Sequence, residues 1–386
     1  MFDLKELQRA ITRENLEGWL FFNFQHRDRF SDHFLGIPDD RMNSRSWFYL
    51  VPARGEPVAV CHSIEPDTLA GLPGQKNLYS GREELAALLG PLACRCGAAY
   101  SLDITALSYL DHGTALFLES LGFRLVPSEG LIQRAVGLLS PAQMDTHEEA
   151  AGHLYRIVRE CWERIRTAFR EGQPLTERQV QEWILEDFRV HGLVTEHRPV
   201  VAAGPNSGNP HYEPGENSRV LAPGDPVQFD LWAKLPGPDA VFADISWMGC
   251  LAEKPDPALE KRFALICRAR DGAVDFIRSR LAAGNPPAGR EVDAAVREIL
   301  ISAGEAERIW HRTGHGIDRA VHGWGVNLDS VEFPDHRPLL EGACFSIEPG
   351  LYDSRFGCRT EINGCIRGGE LHISGGPIQH HLLLLG

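Results

Sequence analysis

Two stretches of this chain alternate apolar and polar side chains, each with an aspartate on the polar side, and turn residues separate them. Val227, Phe229 and Leu231 alternate with Gln228, Asp230 and Trp232; further on, Val241, Ala243, Ile245 and Trp247 alternate with Phe242, Asp244 and Ser246. A period of two is that of a strand with one face buried, so Asp230 and Asp244 each project opposite the apolar face. Leu235-Pro236-Gly237-Pro238-Asp239 reads as the connecting turn. With those five residues as the loop, Lys234 opposes Ala240 and Asp230 opposes Asp244, which predicts Cβ atoms ~5 Å apart. Like charges so placed repel unless something positive lies between them, and a divalent metal is the simplest remedy.

The pattern repeats near the C-terminus. Cys344, Ser346 and Glu348 share one face of a strand, and Arg359, Glu361 and Asn363 share a face of the next, across a loop centred on Asp353-Ser354-Arg355. This second hairpin brings Glu348 near Glu361, and Arg359 on the same face can orient a carboxylate through a charge-assisted fork. Three histidines join the acids. His315 sits between Gly314 and Gly316, which leave room for an imidazole to reach a metal or substrate. His322 follows seven residues later, and His211 lies in the loop Gly208-Asn209-Pro210-His211-Tyr212 before the first acidic strand.

A chain of 386 residues predicts two domains. Alternating α and β signals run through the first third: helical spacing from Leu4 to Ile11, a strand at Trp19–Phe24, a hairpin of Ser46–Val51 with Pro57–Cys61, a helix over Leu107–Gly122 and an extended Phe123–Pro127. No acid–histidine constellation falls there. Leu138-Leu139-Ser140-Pro141 marks the boundary, giving domains of 1–138 and 139–386. Long helical patterns follow at 144–170, 176–191, 257–283 and 292–303, and all the candidate chemistry lies from about Val200 onward. A net charge of −14 argues against nucleic acid or an anionic membrane as partner. Nine scattered cysteines offer no disulfide framework and fit a reducing compartment. No apolar run approaches the ~18 residues of a membrane helix. The opening Met-Phe-Asp-Leu-Lys-Glu-Leu is acidic and amphipathic rather than a signal sequence, so the expected location is cytoplasmic.

Four carboxylates and one imidazole form a hard, oxygen-rich donor set. It suits a pair of Mn2+, Co2+, Fe2+ or Zn2+ ions rather than one structural zinc. Such a pair can carry a bridging hydroxide and polarise a carbonyl, which is equipment for amide hydrolysis. No HExxH, GxSxG, P-loop or dinucleotide fingerprint competes.

The series Asn-Pro-His211-Tyr, Phe-Asp230-Leu, Ala-Asp244-Ile-Ser, Gly-His315-Gly, Val-His322, Ile-Glu348-Pro-Gly and Arg359-Thr-Glu361 resembles the pita-bread (M24-type) metallopeptidases. These include methionine aminopeptidase, aminopeptidase P, prolidase (Xaa-Pro dipeptidase) and the non-peptidase creatinase. The resemblance implies an α+β chain, with a C-terminal pita-bread fold over 139–386 and a smaller N-terminal α/β creatinase/prolidase-like domain over 1–138. An upstream domain of this kind points to the proline-directed branch.

Carried over by position, Asp230, Asp244, His315, Glu348 and Glu361 are the implied metal ligands. Asp244 and Glu361 would bridge two divalent ions, with Mn2+ or Co2+ ahead of Zn2+ or Fe2+. Glu348 would also handle the proton of the attacking water, and His211 and His322 would contact substrate and oxyanion. Tyr352 matches a tyrosine near the family site, Arg359 supports the ligands, and His336 or Arg337 falls near where prolidases bind the substrate carboxylate. Asp318, Arg319 and Gly323 depart from the family's histidine signature and bear on substrate choice. The implied activity is hydrolysis of Xaa-Pro bonds, in dipeptides or at the N-terminus of short peptides, by a homodimer. The alternatives are a creatinase-like amidine hydrolase, a non-proline aminopeptidase, or a metal-free binding module on the same fold.

Overall fold

A computed structural model describes residues 3–386; Met1 and Phe2 of the amphipathic opening lie outside the described residues. The chain separates into two compact units, Met1–Val136 and Gly137–Gly386.

In the first unit, Asp3 accepts from the N–H groups of Lys5 and Glu6 and so starts α1 (Leu4–Arg13). There follow β1 (Gly18–Asn23), α2 (Arg29–Leu35), β2 (Trp47–Pro52), β3 (Val58–His62), β4 (Gln75–Tyr79), α3 (Arg82–Leu89), β5 (Arg95–Ala98), α4 (His112–Ser120), β6 (Arg124–Pro127) and the short α5 (Glu129–Ile132). The strands form one mixed sheet in the order β4-β3-β2-β1-β5-β6. β2 and β3 pair antiparallel, as the hairpin reading requires. The helix expected over Leu107–Gly122 is shorter, because Asp111 caps it by accepting from Thr114 N–H and α4 starts only at His112.

The second unit opens with two capping boxes. Ser140 and Gln143 start α6 (Pro141–Arg170), and Thr176 and Gln179 start α7 (Glu177–Val190). Then come β7 (Val200–Ala203), β8 (Pro226–Ala233), β9 (Ala243–Cys250), α8 (Pro257–Ala282), α9 (Gly289–Ser302), β10 (Cys344–Ile347), β11 (Gly350–Tyr352), β12 (Gly357–Arg359), β13 (Ile362–Arg367), β14 (Glu370–Ile373) and β15 (Leu383–Leu384). One sheet runs β15-β9-β8-β7, a second β10-β13-β14, and β11 pairs with β12 alone. The apolar face of β8 and β9, with Val227, Phe229, Leu231, Ala243 and Ile245, packs on α6 and α7 residues in one continuous core. Phe229 stacks on Trp162 with ring centroids 4.3 Å apart. Gly249 leaves the space that indole fills, since a Cβ there would come within 2.7 Å of it. A second core joins α8 and α9 to the β10–β13 hairpin through Phe263, Ile266, Val292, Phe345 and Ile347. Each acidic strand is therefore backed by a helix layer, and its other face is free to build a site.

Candidate metal centre

The first acidic hairpin has a different register from the one its turn residues predict. Ala233 pairs with Ala243, Trp232 with Asp244, and Asp230 with Ser246. The aspartates are thus diagonal rather than directly opposed. The loop is longer because Lys234 bridges to Val194 and the Phe242 N–H donates to Asp318 O at 3.0 Å, taking both residues out of the hairpin ladder. A slip of two residues keeps every side chain on its face, so both acids still point away from the core.

In the second hairpin Ile347 pairs with Ile362 and Gly350 with Arg359, a single register interrupted between them. Glu348 and Glu361 stand opposite each other in that gap. Their N–H groups turn elsewhere, Glu348 to Thr313 O at 2.7 Å and Glu361 to Ser246 O at 3.3 Å. The ladder opens where the acids sit, and those two bonds tie it to the histidine segment and to β9. Asn363 adds a third tie: its amide accepts from Asp244 N–H at 2.8 Å and donates to Asp244 O at 2.6 Å.

His315 lies on an extended segment alongside β10, with Ser346 N–H donating to His315 O at 2.9 Å. The flanking glycines serve the backbone rather than the imidazole. A Cβ on Gly314 would fall 2.0 Å from Ser346 O, and one on Gly316 2.5 Å from the Gly325 backbone. The ring's Nδ1 lies 3.3 Å from Gly316 O, which leaves Nε2 facing Asp244 Oδ2 and Glu348 Oε1, each at 3.5 Å.

Asp244, Glu361 and His315 are at most 5% exposed. Burial first, then the charges of Asp230 and Glu348, raise Asp244 well above the ordinary carboxylate range; burial and Asp244 do the same to Glu361. Burial pushes His315 down. Arg359, whose charge burial opposes, is nonetheless held high by Asp230, Tyr352 and Glu348. It pairs with Asp230, donates to Ser246 Oγ at 3.0 Å and to Tyr352 Oη at 3.1 Å, and stays 3.9 Å from Glu348. One guanidinium therefore faces four carboxylates. Asp244 Oδ1 and Glu361 Oε1 are buried without a hydrogen-bond partner among the described residues. One ligand atom each from Asp244, His315 and Glu361 lies within 4.8 Å of the others. Orphaned carboxylate oxygens beside an unprotonated imidazole nitrogen fit a hard divalent cation.

Around these groups the structure adds residues whose roles only the fold reveals. Ser246 Oγ stands 2.7 Å from Asp230 Oδ1 and 2.9 Å from Glu361 Oε2. Ser346 Oγ accepts from His315 N–H at 3.0 Å and stands 3.2 Å from Glu348 Oε1. Tyr352 is buried, its hydroxyl 2.9 Å from Nε2 of His311, whose pKa burial lowers to about 4. Glu177 anchors the loop that carries His211, accepting from Ala203 N–H, Tyr212 Oη and Arg219 N–H at 2.6–3.0 Å.

On the substrate side, His322 is exposed and its ring meets His315 edge-on at 4.3 Å. Desolvation and the neighbouring His315, Arg312, His211 and His197 push its pKa down. His211 is exposed, and His197, which has no strand or glycine signature, acts with it through charge to lower the His322 pKa. One of the two candidate carboxylate anchors is engaged elsewhere. Arg337 is buried and engaged with Asp335, Trp324 O and Gly325 O, so it is a clamp and not a carboxylate anchor. His336 is exposed beside Arg290, 3.3 Å away. Asp318 and Gly323 are a matched pair: Asp318 accepts from Ala320 and Trp324 N–H groups at 2.8 Å, and a Cβ on Gly323 would meet its carboxylate at 2.4 Å. The Arg319 guanidinium approaches Asp239 at 3.9 Å, and its carbonyl accepts from Lys234 Nζ at 2.6 Å.

This chain is similar to the probable dipeptidase PepE of Mycobacterium tuberculosis, 34% identical over 163 residues, which are 42% of this chain and 40% of that protein. It is 32% identical over 202 residues to the Xaa-Pro dipeptidase of Lactobacillus delbrueckii subsp. lactis, covering 52% of this chain and 50% of the other. It thus spans about half the length of the curated relatives it matches. Among solved structures, dipeptidase PepE from Mycobacterium ulcerans superposes with a TM-score of 0.71 at 23% identity, over 99% of this chain and 96% of that one. Prolidase from Thermococcus sibiricus gives 0.65 at 21%, over 99% and 98%. At such identities the likeness is one of fold, the pita-bread architecture with its preceding α/β unit. Residues 149–367 match metallopeptidase family M24, a stretch that holds all five of the acid and imidazole groups gathered above; the chain belongs to that family.

Proposed function

We propose that this chain is a dinuclear metal-dependent peptidase that hydrolyses Xaa-Pro bonds, in dipeptides ahead of longer peptides. The observation that carries the reading is the buried group Asp244, His315 and Glu361, with an orphaned oxygen on each carboxylate and Asp230 and Glu348 beside it. Two divalent cations of the Mn2+ or Co2+ class would suit this oxygen-rich set, and Asp230, Asp244, His315, Glu348 and Glu361 are the residues that would hold them. Bound there, such cations supply Lewis acidity and make water acidic enough to attack near neutral pH.

The chain's own groups do the rest. Glu348, steadied by Ser346 Oγ, takes the proton of the attacking water and hands it to the departing proline nitrogen. His322 and His211 donate N–H groups to the developing oxyanion. Arg359 holds Asp230 and Ser246 in place without touching substrate. The relatives named Xaa-Pro dipeptidase favour the proline preference. The nine unpaired cysteines fit a cytoplasmic setting, and among the described residues no helix is long and apolar enough to cross a membrane.

The test is a panel of Xaa-Pro dipeptides, Xaa-Pro-Yaa tripeptides and non-proline controls, each with Mn2+, Co2+ and Zn2+. We expect cleavage of Xaa-Pro dipeptides after metal loading and none after chelation. Cleavage of tripeptides alone would make the chain an aminopeptidase, and equal cleavage of non-proline controls would overturn the specificity. Light scattering checks the expected homodimer; a monomer mass would refute it.

A further inference from the structure

A second group of ligand-type side chains lies apart from the carboxylates, and its chemistry is soft. His147 of α6, Cys344 of β10 and Cys365 of β13 are all buried, and one donor atom from each lies within 4.8 Å of the others. Cys344 and Cys365 are direct cross-strand partners. The surroundings are apolar: Leu139, Met144, Val241, Phe242, Ile317 and Val321 close around the sulfurs. We propose that His147, Cys344 and Cys365, with Ser374 Oγ as fourth donor, form a structural site for a zinc-class ion, distinct from the carboxylate centre.

The imidazole is set up as a ligand. His147 Nδ1 lies 2.6 Å from Phe242 O, so that nitrogen carries the proton and Nε2 presents its lone pair to the sulfurs and to Ser374 Oγ, 2.9 Å away. Nitrogen and sulfur on one tetrahedral zinc stand about 3.6 Å apart; His147 Nε2 and Cys344 Sγ are separated by 3.7 Å. Cys365 Sγ lies 3.8 Å from Ser374 Oγ. The sulfurs themselves, 3.0 Å apart, must spread to about 3.8 Å around such an ion. A torsion of roughly 30° about one Cα–Cβ bond moves a sulfur that far, within the range side chains tolerate.

Charge and softness both favour the assignment. Two thiolates and a neutral imidazole around a divalent ion sum to zero, so the loaded cluster can sit in a dry core where an unpaired thiolate could not. Thiolate ligands select zinc, whereas the carboxylate set favours harder ions. The ion would fasten α6 to the hairpin of β10 and β13, which is continuous in sequence with Glu348 and Glu361, each four residues from one of the cysteines.

Elemental analysis of the full chain, dialysed against a chelator, tests this. One zinc per chain should survive in the wild type and in Asp244→Ala, and none in Cys344→Ser/Cys365→Ser. Replacement by Co2+ should give a thiolate-to-cobalt charge-transfer band in the near ultraviolet, kept in Asp244→Ala. That spectrum needs only wild-type protein, so it decides the matter even where the double variant fails to fold. Absence of both retained zinc and the band would overturn the site, as would a Cys344–Cys365 disulfide found by peptide mapping of the unreduced protein.

Discussion

The Ser246 hydroxyl has a single proton and two carboxylate neighbours, Asp230 Oδ1 and Glu361 Oε2, while Arg359 Nε donates to its oxygen. It therefore sets the orientation of one acid from each hairpin at once. Ser246→Ala should weaken metal affinity by about 10–100-fold, the usual cost of losing a group that orients ligands. Calorimetric titration of the stripped protein with Mn2+ measures this; unchanged affinity would remove Ser246 from the site. Asp244→Ala deletes a ligand outright and should abolish both binding and turnover with the circular dichroism unaltered. His322→Ala should instead leave metal content intact and lower kcat by about 100–1,000-fold. If metal content falls in step with kcat, the division between ligands and substrate contacts is wrong. The ligand candidates were legible in the sequence because acids and a histidine stand out by type and by strand face. Ser246, Ser346 and Asn363 share those faces, yet nothing local distinguishes a serine that bridges two hairpins from one that faces water. Arg337 misled for the same reason, since its partners Trp324 O and Gly325 O are backbone atoms brought near only by folding.

Among the elements, what was readable is what local physics decides. The apolar spacing of the long helices places them to within a few residues, while the capping boxes at Ser140 and Thr176 that fix where two of them begin emerge only in the structure. The hairpin faces followed from alternation, but not the register of β8 and β9, which distant partners of Lys234 and Phe242 set. The histidine segment makes a testable case of close backbone approach. Gly314→Ala would drive a methyl into Ser346 O, which cannot rotate away, and should destabilise the fold by about 1–3 kcal/mol, read from chemical denaturation. In the first unit, Asp28 caps α2 by accepting from Ser31 N–H at 2.8 Å, yet burial pushes its pKa up to about 7, with Asp32 adding to the rise. A carboxyl whose pKa is raised on folding stabilises fully below its unfolded value near 4, and that contribution is lost as pH climbs through about 7. Denaturation midpoints should therefore fall between pH 4 and 8, with Asp28 supplying up to roughly 4 kcal/mol of the change. Asp28→Asn keeps the cap and should flatten its share of the slope; an unchanged slope would exclude Asp28 as the source.

At the scale of the whole molecule, the first unit gives the chain a mixed sheet and the second gives it the chemistry. The second unit draws together acids from strands more than a hundred residues apart in sequence. Asp244 and Glu361 have raised pKa values, so the sign is again that of a folded state favouring the proton. Without metal, their contribution is present below about pH 4 and is lost as pH rises through their shifted values. A divalent cation works in the opposite sense, since its ligands must be deprotonated and its affinity grows with pH. Ligand at a hundredfold excess over Kd adds about 2.7 kcal/mol per site, which in a unit of this size is worth several degrees of Tm. The gap in Tm between Mn2+-loaded and chelated protein should therefore be small at pH 5 and widen steadily to pH 8. Asp244→Ala should close it at every pH. Scanning calorimetry across that range decides the point: a gap that is absent, or that narrows as pH rises, would mean that the converging carboxylates carry their own protons rather than a metal.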